Sequence, residues 1–118
     1  MLARRDVPGK EGKAFVPRAG LVAQVHDLLE GIQKDLLARA RAFRDENIRP
    51  AADWSELAAA VEQGFARAYW CGDDGCEARL KEIQASIRCI PFDQPGTGGR
   101  CALCGQEARE VAIIGRAY

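Results

Sequence analysis

Four of the five cysteines stand in two short-spaced pairs, Cys71-Gly72-Asp73-Asp74-Gly75-Cys76 and Cys101-Ala102-Leu103-Cys104, with 24 residues between the pairs. A C-x4-C and a C-x2-C brought together by a fold offer four thiolates at the corners of a tetrahedron, the donor set of a closed structural zinc site. Any fold for this chain then has to return residues 101–104 to residues 71–76. The neighbouring glycines serve that end. Gly72, Gly75 and Gly105 allow left-handed turns that aim backbone amides at the sulfurs and stabilise their charge.

Other readings of these cysteines compete. A redox dithiol at Cys101 and Cys104 would open a helix after a strand, whereas here the Gly-rich stretch Pro95-Gly96-Thr97-Gly98-Gly99 precedes the pair and Gly105 follows it. Disulfides would leave one of the five cysteines over. They also suit secreted chains, and the opening Met1-Leu2-Ala3-Arg4-Arg5 is charged early and breaks at Pro8-Gly9, unlike a secretory leader. A cytoplasmic location is therefore expected, with no membrane segment. A relic site without metal is a further alternative. A catalytic zinc would need an open position, usually with a His or carboxylate ligand, and four thiolates leave none.

Charge narrows the function classes. Seventeen Lys plus Arg balance 17 Asp plus Glu in 118 residues, which excludes a non-specific polycation for nucleic acid. At 47% hydrophobic and 7% aromatic, one small domain is expected, its core filled mostly by Ala, Leu, Val and Ile.

Residues 1–6 read as the end of a strand, and residues 7–20, rich in Pro and Gly, as a connector. From Leu21 to Asn47 the apolar residues Leu21, Val25, Leu28, Leu29, Ile32, Leu36, Ala40 and Phe43 recur at steps of three and four, a helical stripe. That helix is expected to pack its stripe on the core along part of its length. Asn47 and Pro50 stop it. Asp53 then N-caps a second helix, with Glu56 at the capping-box position, ending at Gly64. Strands are predicted over 65–70, 87–92 and 110–114, and a third helix over 74–84 with Leu80 and Ile83 inward. Helices first and short strands later predict an α+β two-layer unit: a small mixed sheet on helices, with a long N-terminal amphipathic helix.

The remaining chemistry-bearing residues have plain readings. Cys89, in an alternating stretch with no partner at ligand spacing, reads as a buried free thiol. His26 reads as a surface or packing residue on the long helix. Asp73 and Asp74 read as solvated loop acids. Neither a phosphate-binding loop nor a nucleophile elbow occurs, so no catalytic machinery is visible.

The segments Ala42-Phe43-Arg44-Asp45-Glu46-Asn47, Trp70-Cys71-Gly72-Asp73, Cys76-Glu77, Ile87-Arg88-Cys89-Ile90-Pro91-Phe92, Cys101 to Gly105 and Arg116-Ala117-Tyr118 follow one another in an order and spacing that identify a resemblance. From about residue 17 the chain resembles the zinc-binding C-terminal domain of prolyl-tRNA synthetase, in the archaeal and eukaryote-like form that some bacteria also possess. The resemblance implies that Cys71, Cys76, Cys101 and Cys104 bind structural Zn(2+). It implies that residues 1–16 are the end of a preceding anticodon-binding domain plus a linker, and that 17–118 are the zinc-binding domain. It implies that Tyr118 brings the terminal carboxylate towards the catalytic domain. The parent would be a class II ligase, a homodimer, using ATP and Mg(2+) to attach proline to tRNA(Pro) through a catalytic domain not contained in these residues. The alternative is a free-standing, non-enzymatic zinc-stabilised module that binds RNA or protein, with Arg39, Arg41, Arg44, Arg88 and Arg100 as contacts.

Overall fold

The structure, a computed structural model, describes residues 1–116; Ala117 and Tyr118 lie outside the described residues. The described residues form two units, divided between Phe43 and Arg44.

In the first unit, β1 (Leu2–Ala3) pairs antiparallel with β2 (Lys13–Ala14). The strand expected over 1–6 is thus only two residues long, and the predicted connector contains its partner. Arg4 holds this corner, its guanidinium donating to Asp6 at 2.6 Å and to Asp35 at 3.1 Å. The hydrogen bond from Arg4 keeps the Asp6 carboxyl below its ordinary pKa. The periodic stripe forms the helix it predicts, α1 (Leu21–Glu46). No α1 residue is buried, and Val22, Leu29, Leu36, Leu37 and Phe43 are exposed.

The second unit is built on a mixed four-stranded sheet of order β3-β4-β8-β5. Its edge strand β3 (Ile48–Ala51) was not foreseen, because Pro50 reads as a breaker. Proline lacks the donor a ladder needs, and an edge strand tolerates that loss. β3 runs parallel to β4 (Phe65–Trp70), which requires a crossover, and α2 (Trp54–Gln63) supplies it. Asp53 caps α2 as predicted: its carboxylate accepts from the Glu56 amide at 2.9 Å. Glu56 reaches back to the Ala52 amide at 2.8 Å, one residue before the usual partner of a capping box. Asp53→Ala should therefore cost about 1 kcal/mol of stability. Urea denaturation would measure it, and an unchanged midpoint would mean that β3 and the sheet alone set the start of α2.

β8 (Glu110–Arg116) lies between β4 and β5 (Ala85–Cys89), antiparallel to both. It runs two residues beyond its predicted end, whereas β5 is shifted from 87–92 to an earlier start. The preceding segment explains that shift. α3 (Asp74–Arg79) continues as a 3-10 turn, Leu80–Ile83, and Gln84 closes it in the left-handed region at φ 55°, so extension begins at Ala85. Past the end of β5, the Gln94 side chain imitates a strand partner for β8. Its amide nitrogen donates to the Val111 carbonyl at 3.1 Å, and its oxygen accepts from the Val111 amide at 2.7 Å.

Leu57, Ala60 and Val61 of α2 share one core with Ala51, Ala66, Ala68, Leu80, Ala85, Ala112 and Ile114. The many alanines keep the elements close, as the low aromatic content predicts, and Leu57, Leu80 and Ile114 are the largest fully buried side chains. No helix among the described residues is long and apolar enough to cross a membrane.

Candidate metal centre

Three elements deliver the four predicted cysteines to one place. β4 ends at Trp70 and hands over Cys71, and the first turn of α3 carries Cys76. A two-stranded ribbon, β6 (Gly99–Arg100) and β7 (Glu107–Ala108), holds Cys101 to Cys104 in its turn. The sequence reading missed this ribbon, because strands two residues long leave no alternation to detect. Tyr69 seats it: its hydroxyl donates to the Thr97 carbonyl at 3.0 Å, and its ring fills the space where a Gly99 side chain would stand.

Gly72 at φ 84° and Gly105 at φ 76° take the left-handed turns expected of them. Gly75 does not; it is helical in α3, and a Cβ there would press within 2.9 Å of the Asp73 carboxylate. That carboxylate is not merely solvated, since it caps α3 by accepting from the Cys76 amide at 3.1 Å. Within the second pair, the Cys101 amide donates to the Gln106 carbonyl and the Gly105 amide to the Cys101 carbonyl, both at 2.8 Å.

The sulfurs of Cys71, Cys76, Cys101 and Cys104 all lie within 4.8 Å of one another. Cys71 Sγ is 3.6 Å from Cys76 Sγ and 3.8 Å from Cys104 Sγ, and all of these cysteines are free thiols rather than disulfides. A zinc ion with Zn–S bonds of about 2.3 Å sets tetrahedral S···S edges of about 3.8 Å, so the spacing fits that ion. The electrostatics fit as well. Burial pushes the Cys71 and Cys76 thiols up, and the adjacent sulfurs add to the rise at Cys76. Burial also opposes ionisation of Cys101, but bonds from the backbone of Leu103, Cys104 and Cys71 outweigh it and bring this thiol down to about 7. One thiolate is thus favoured while its neighbours resist, a conflict that a divalent cation removes. The cluster is consistent with a structural zinc site.

Besides the bond from the Cys71 backbone to the Cys101 thiol, two ties link the Cys101–Cys104 turn to the elements bearing the other pair. The Ala102 amide donates to the Tyr69 carbonyl of β4 at 3.0 Å. Arg79 Nη1, on α3, donates to the Leu103 carbonyl at 2.5 Å, while the same guanidinium lies 4.2 Å from the centre of the Trp54 ring. Sequence reasoning missed Arg79. Its spacing of three from Cys76 was the only available signal, and its partner lies 24 residues away.

The other residues singled out do not join the site. Cys89 is exposed at the end of the edge strand β5, which corrects its reading as buried. His26 is exposed on α1 with Nδ1 3.9 Å from Asp27. Among the candidate nucleic-acid contacts, Arg44 pairs with Asp45 at 2.7 Å, Arg88 donates to the Arg116 carbonyl and Arg100 to the Gly105 carbonyl. Arg39 and Arg41 lie on the exposed surface of α1. Tyr118 lies outside the described residues.

The family model described as "Prolyl-tRNA synthetase, C-terminal" matches residues 54–118. Among curated relatives, a proline–tRNA ligase of Chloroflexus aurantiacus is 49% identical over 118 residues, covering 99% of this chain and 25% of the relative. Proline–tRNA ligase 2 of Bacillus cereus is 42% identical over 121 residues, again over 25% of its length. The chain thus spans about a quarter of the length of these relatives. Prolyl-tRNA synthetase from Cryptosporidium parvum, in a crystal structure with halofuginone and AMPPNP, superposes with a TM-score of 0.79 at 27% identity, over 87% of this chain and 23% of that one. With four cysteines gathered on this fold and a family match across more than half of its residues, the chain belongs to the prolyl-tRNA synthetase C-terminal domain family.

Proposed function

We propose that the chain is the zinc-stabilised C-terminal module of a proline–tRNA ligase of the archaeal and eukaryote-like form. The observation that carries this reading is the tetrathiolate cluster standing in a chain that matches only a quarter of relatives named proline–tRNA ligase. Cys71, Cys76, Cys101 and Cys104 hold Zn(2+), whose role is to lock the β6–β7 ribbon to β4 and α3. With all ligands thiolates, no position opens for water, so the module itself does no chemistry. The likeness to the Cryptosporidium parvum structure supports the eukaryote-like assignment.

In this reading residues 1–16 close a preceding anticodon-binding domain and its linker, and residues 17–118 are the zinc-binding domain. The parent is a cytoplasmic homodimer that uses ATP and Mg(2+) in its catalytic domain to join proline to tRNA(Pro). Tyr118 presents its carboxylate to that domain. The central place of β8 supports such a role, because the strand leading to Tyr118 is held on both sides, by β4 and β5. A free-standing RNA-binding module is less well supported, since Arg44, Arg88 and Arg100 each engage groups close at hand in their own unit.

Deleting Tyr118 from a complete ligase carrying this module tests the reading. Prolylation of tRNA should fall on the order of tenfold to a hundredfold, the loss expected when a positioning contact goes. Zinc content and melting temperature should hold. Undiminished prolylation would sink the role of the tail.

A further inference from the structure

We propose that Arg79 is a positioning residue for the metal centre, a strut that holds the Cys101–Cys104 turn at ligand distance from Cys76 before any ion arrives. The inference rests on the zinc reading and goes beyond it, because Arg79 is not one of the four ligand residues. Its placement carries the argument. Cys76 and Arg79 stand three residues apart on α3, so they project from neighbouring positions of one helical face. Cys76 contributes a sulfur to the cluster, and Arg79 Nη1 donates to the Leu103 carbonyl between the two ligands of the other pair. The helix that supplies one ligand therefore grips the backbone that supplies two others.

The second tie, from the Ala102 amide to the Tyr69 carbonyl, runs to β4, the strand that delivers Cys71. Each element bearing a first-pair cysteine thus has its own bond to the second-pair turn. One bond is backbone to backbone; the other depends on a side chain. A charged donor on a carbonyl is among the stronger hydrogen bonds, and its strength as a strut depends on how far the donor is immobilised. Trp54, at the start of α2, provides that immobilisation: the guanidinium lies 4.2 Å from its ring centre. Glu82 adds a longer ion pair at 3.9 Å. Arg100 offers a natural contrast, because its bond to the Gly105 carbonyl at 3.2 Å stays within one turn and bridges nothing.

The test is metal affinity of the reduced 118-residue chain, by competition of Zn(2+) against a chromophoric chelator and by the thiolate charge-transfer and d–d bands of Co(2+). Arg79→Met should weaken metal binding about tenfold to a hundredfold, the range for residues that orient metal ligands, and Arg100→Met should stay within about twofold of wild type. Arg79→Lys, which keeps a donor but not the planar fork, should recover part of the loss and guards against a methionine variant that does not fold. The Co(2+) bands should keep their tetrathiolate positions in every folded variant, with only the concentration needed to reach them changed. Equal affinity for Arg79→Met and wild type, or equal losses for Arg79→Met and Arg100→Met, would overturn the strut. A reduced, folded wild-type chain showing no tetrathiolate bands would instead overturn the zinc reading beneath it.

Discussion

Replacing Cys101 by serine should release the metal and sharply lower the melting temperature of the second unit. Cys101 is 2% exposed, and with Cys76, Ala102 and Leu103 it belongs to the same core cluster as Leu57 and Ile114. Losing the ion therefore does not merely loosen a surface turn; it frees buried residues from the cluster. Binding of a structural zinc is itself folding free energy, about 10–16 kcal/mol in small zinc-folded peptides, as large as the whole stability of an ordinary domain. Here the sheet has apolar support of its own, so only part of that energy should appear as lost stability. Even a loss of about 3 kcal/mol would lower the midpoint by roughly 12–24 °C in a unit of this size. Elemental analysis should find about one zinc per wild-type chain and almost none in Cys101→Ser. A strong chelator should reproduce the effect in the wild type. Cys89→Ser, at an exposed thiol outside the cluster, should change neither quantity. A wild-type chain that is reduced, folded and free of metal would refute the prediction.

The second large effect is expected at Leu57. Its side chain is fully buried between α2 and a sheet surface made largely of alanine. Alanines have no side-chain freedom with which to fill a hole, so Leu57→Ala should leave a cavity close to the volume removed. The expected loss is about 3–5 kcal/mol, the upper part of the range for leucine truncation, because relaxation is restricted. The same substitution at Leu29 of α1, which is exposed, should stay within about 0.5 kcal/mol. Urea denaturation of both variants, read as free energies at constant slope, compares them directly. Equal losses at the two leucines would show that the α1 stripe is covered as firmly as the core.

That contrast marks how far the sequence could be read. The spacing of Leu21, Val25, Leu28 and Ile32 reports that α1 is a helix with an apolar stripe, because periodicity follows from backbone geometry. It does not report what covers the stripe, and here none of its residues is buried. β4 was legible to the residue, since Ala66 and Ala68 alternate with exposed neighbours between Gly64 and Cys71. β3 was hidden by Pro50, whose meaning depends on whether a strand lies at an edge, a property of topology rather than of local sequence. Cys89 was misread for a related reason: alternation identified the strand, but β5 is also an edge, and its last two residues are exposed. The cysteine cluster was legible because ligand spacing is a local constraint imposed by the metal. Arg79 was not, because the carbonyl it holds is remote in sequence and carries no side-chain signature.

The position of β8 also bears on how the protein is made. Emerging from the ribosome amino end first, the chain leaves β4 of the parallel β3–β4 pair with its inner edge open, and β5 with no partner in the sheet at all, until β8 follows. All four thiols have appeared by Cys104, six residues before β8 begins at Glu110. Metal capture is therefore available to the nascent chain earlier than sheet closure. An ion bound at that stage would tether residues 71–76 to residues 101–104 and shorten the loop that β8 must close to reach β4, making the last and least local pairing of the fold an easier step.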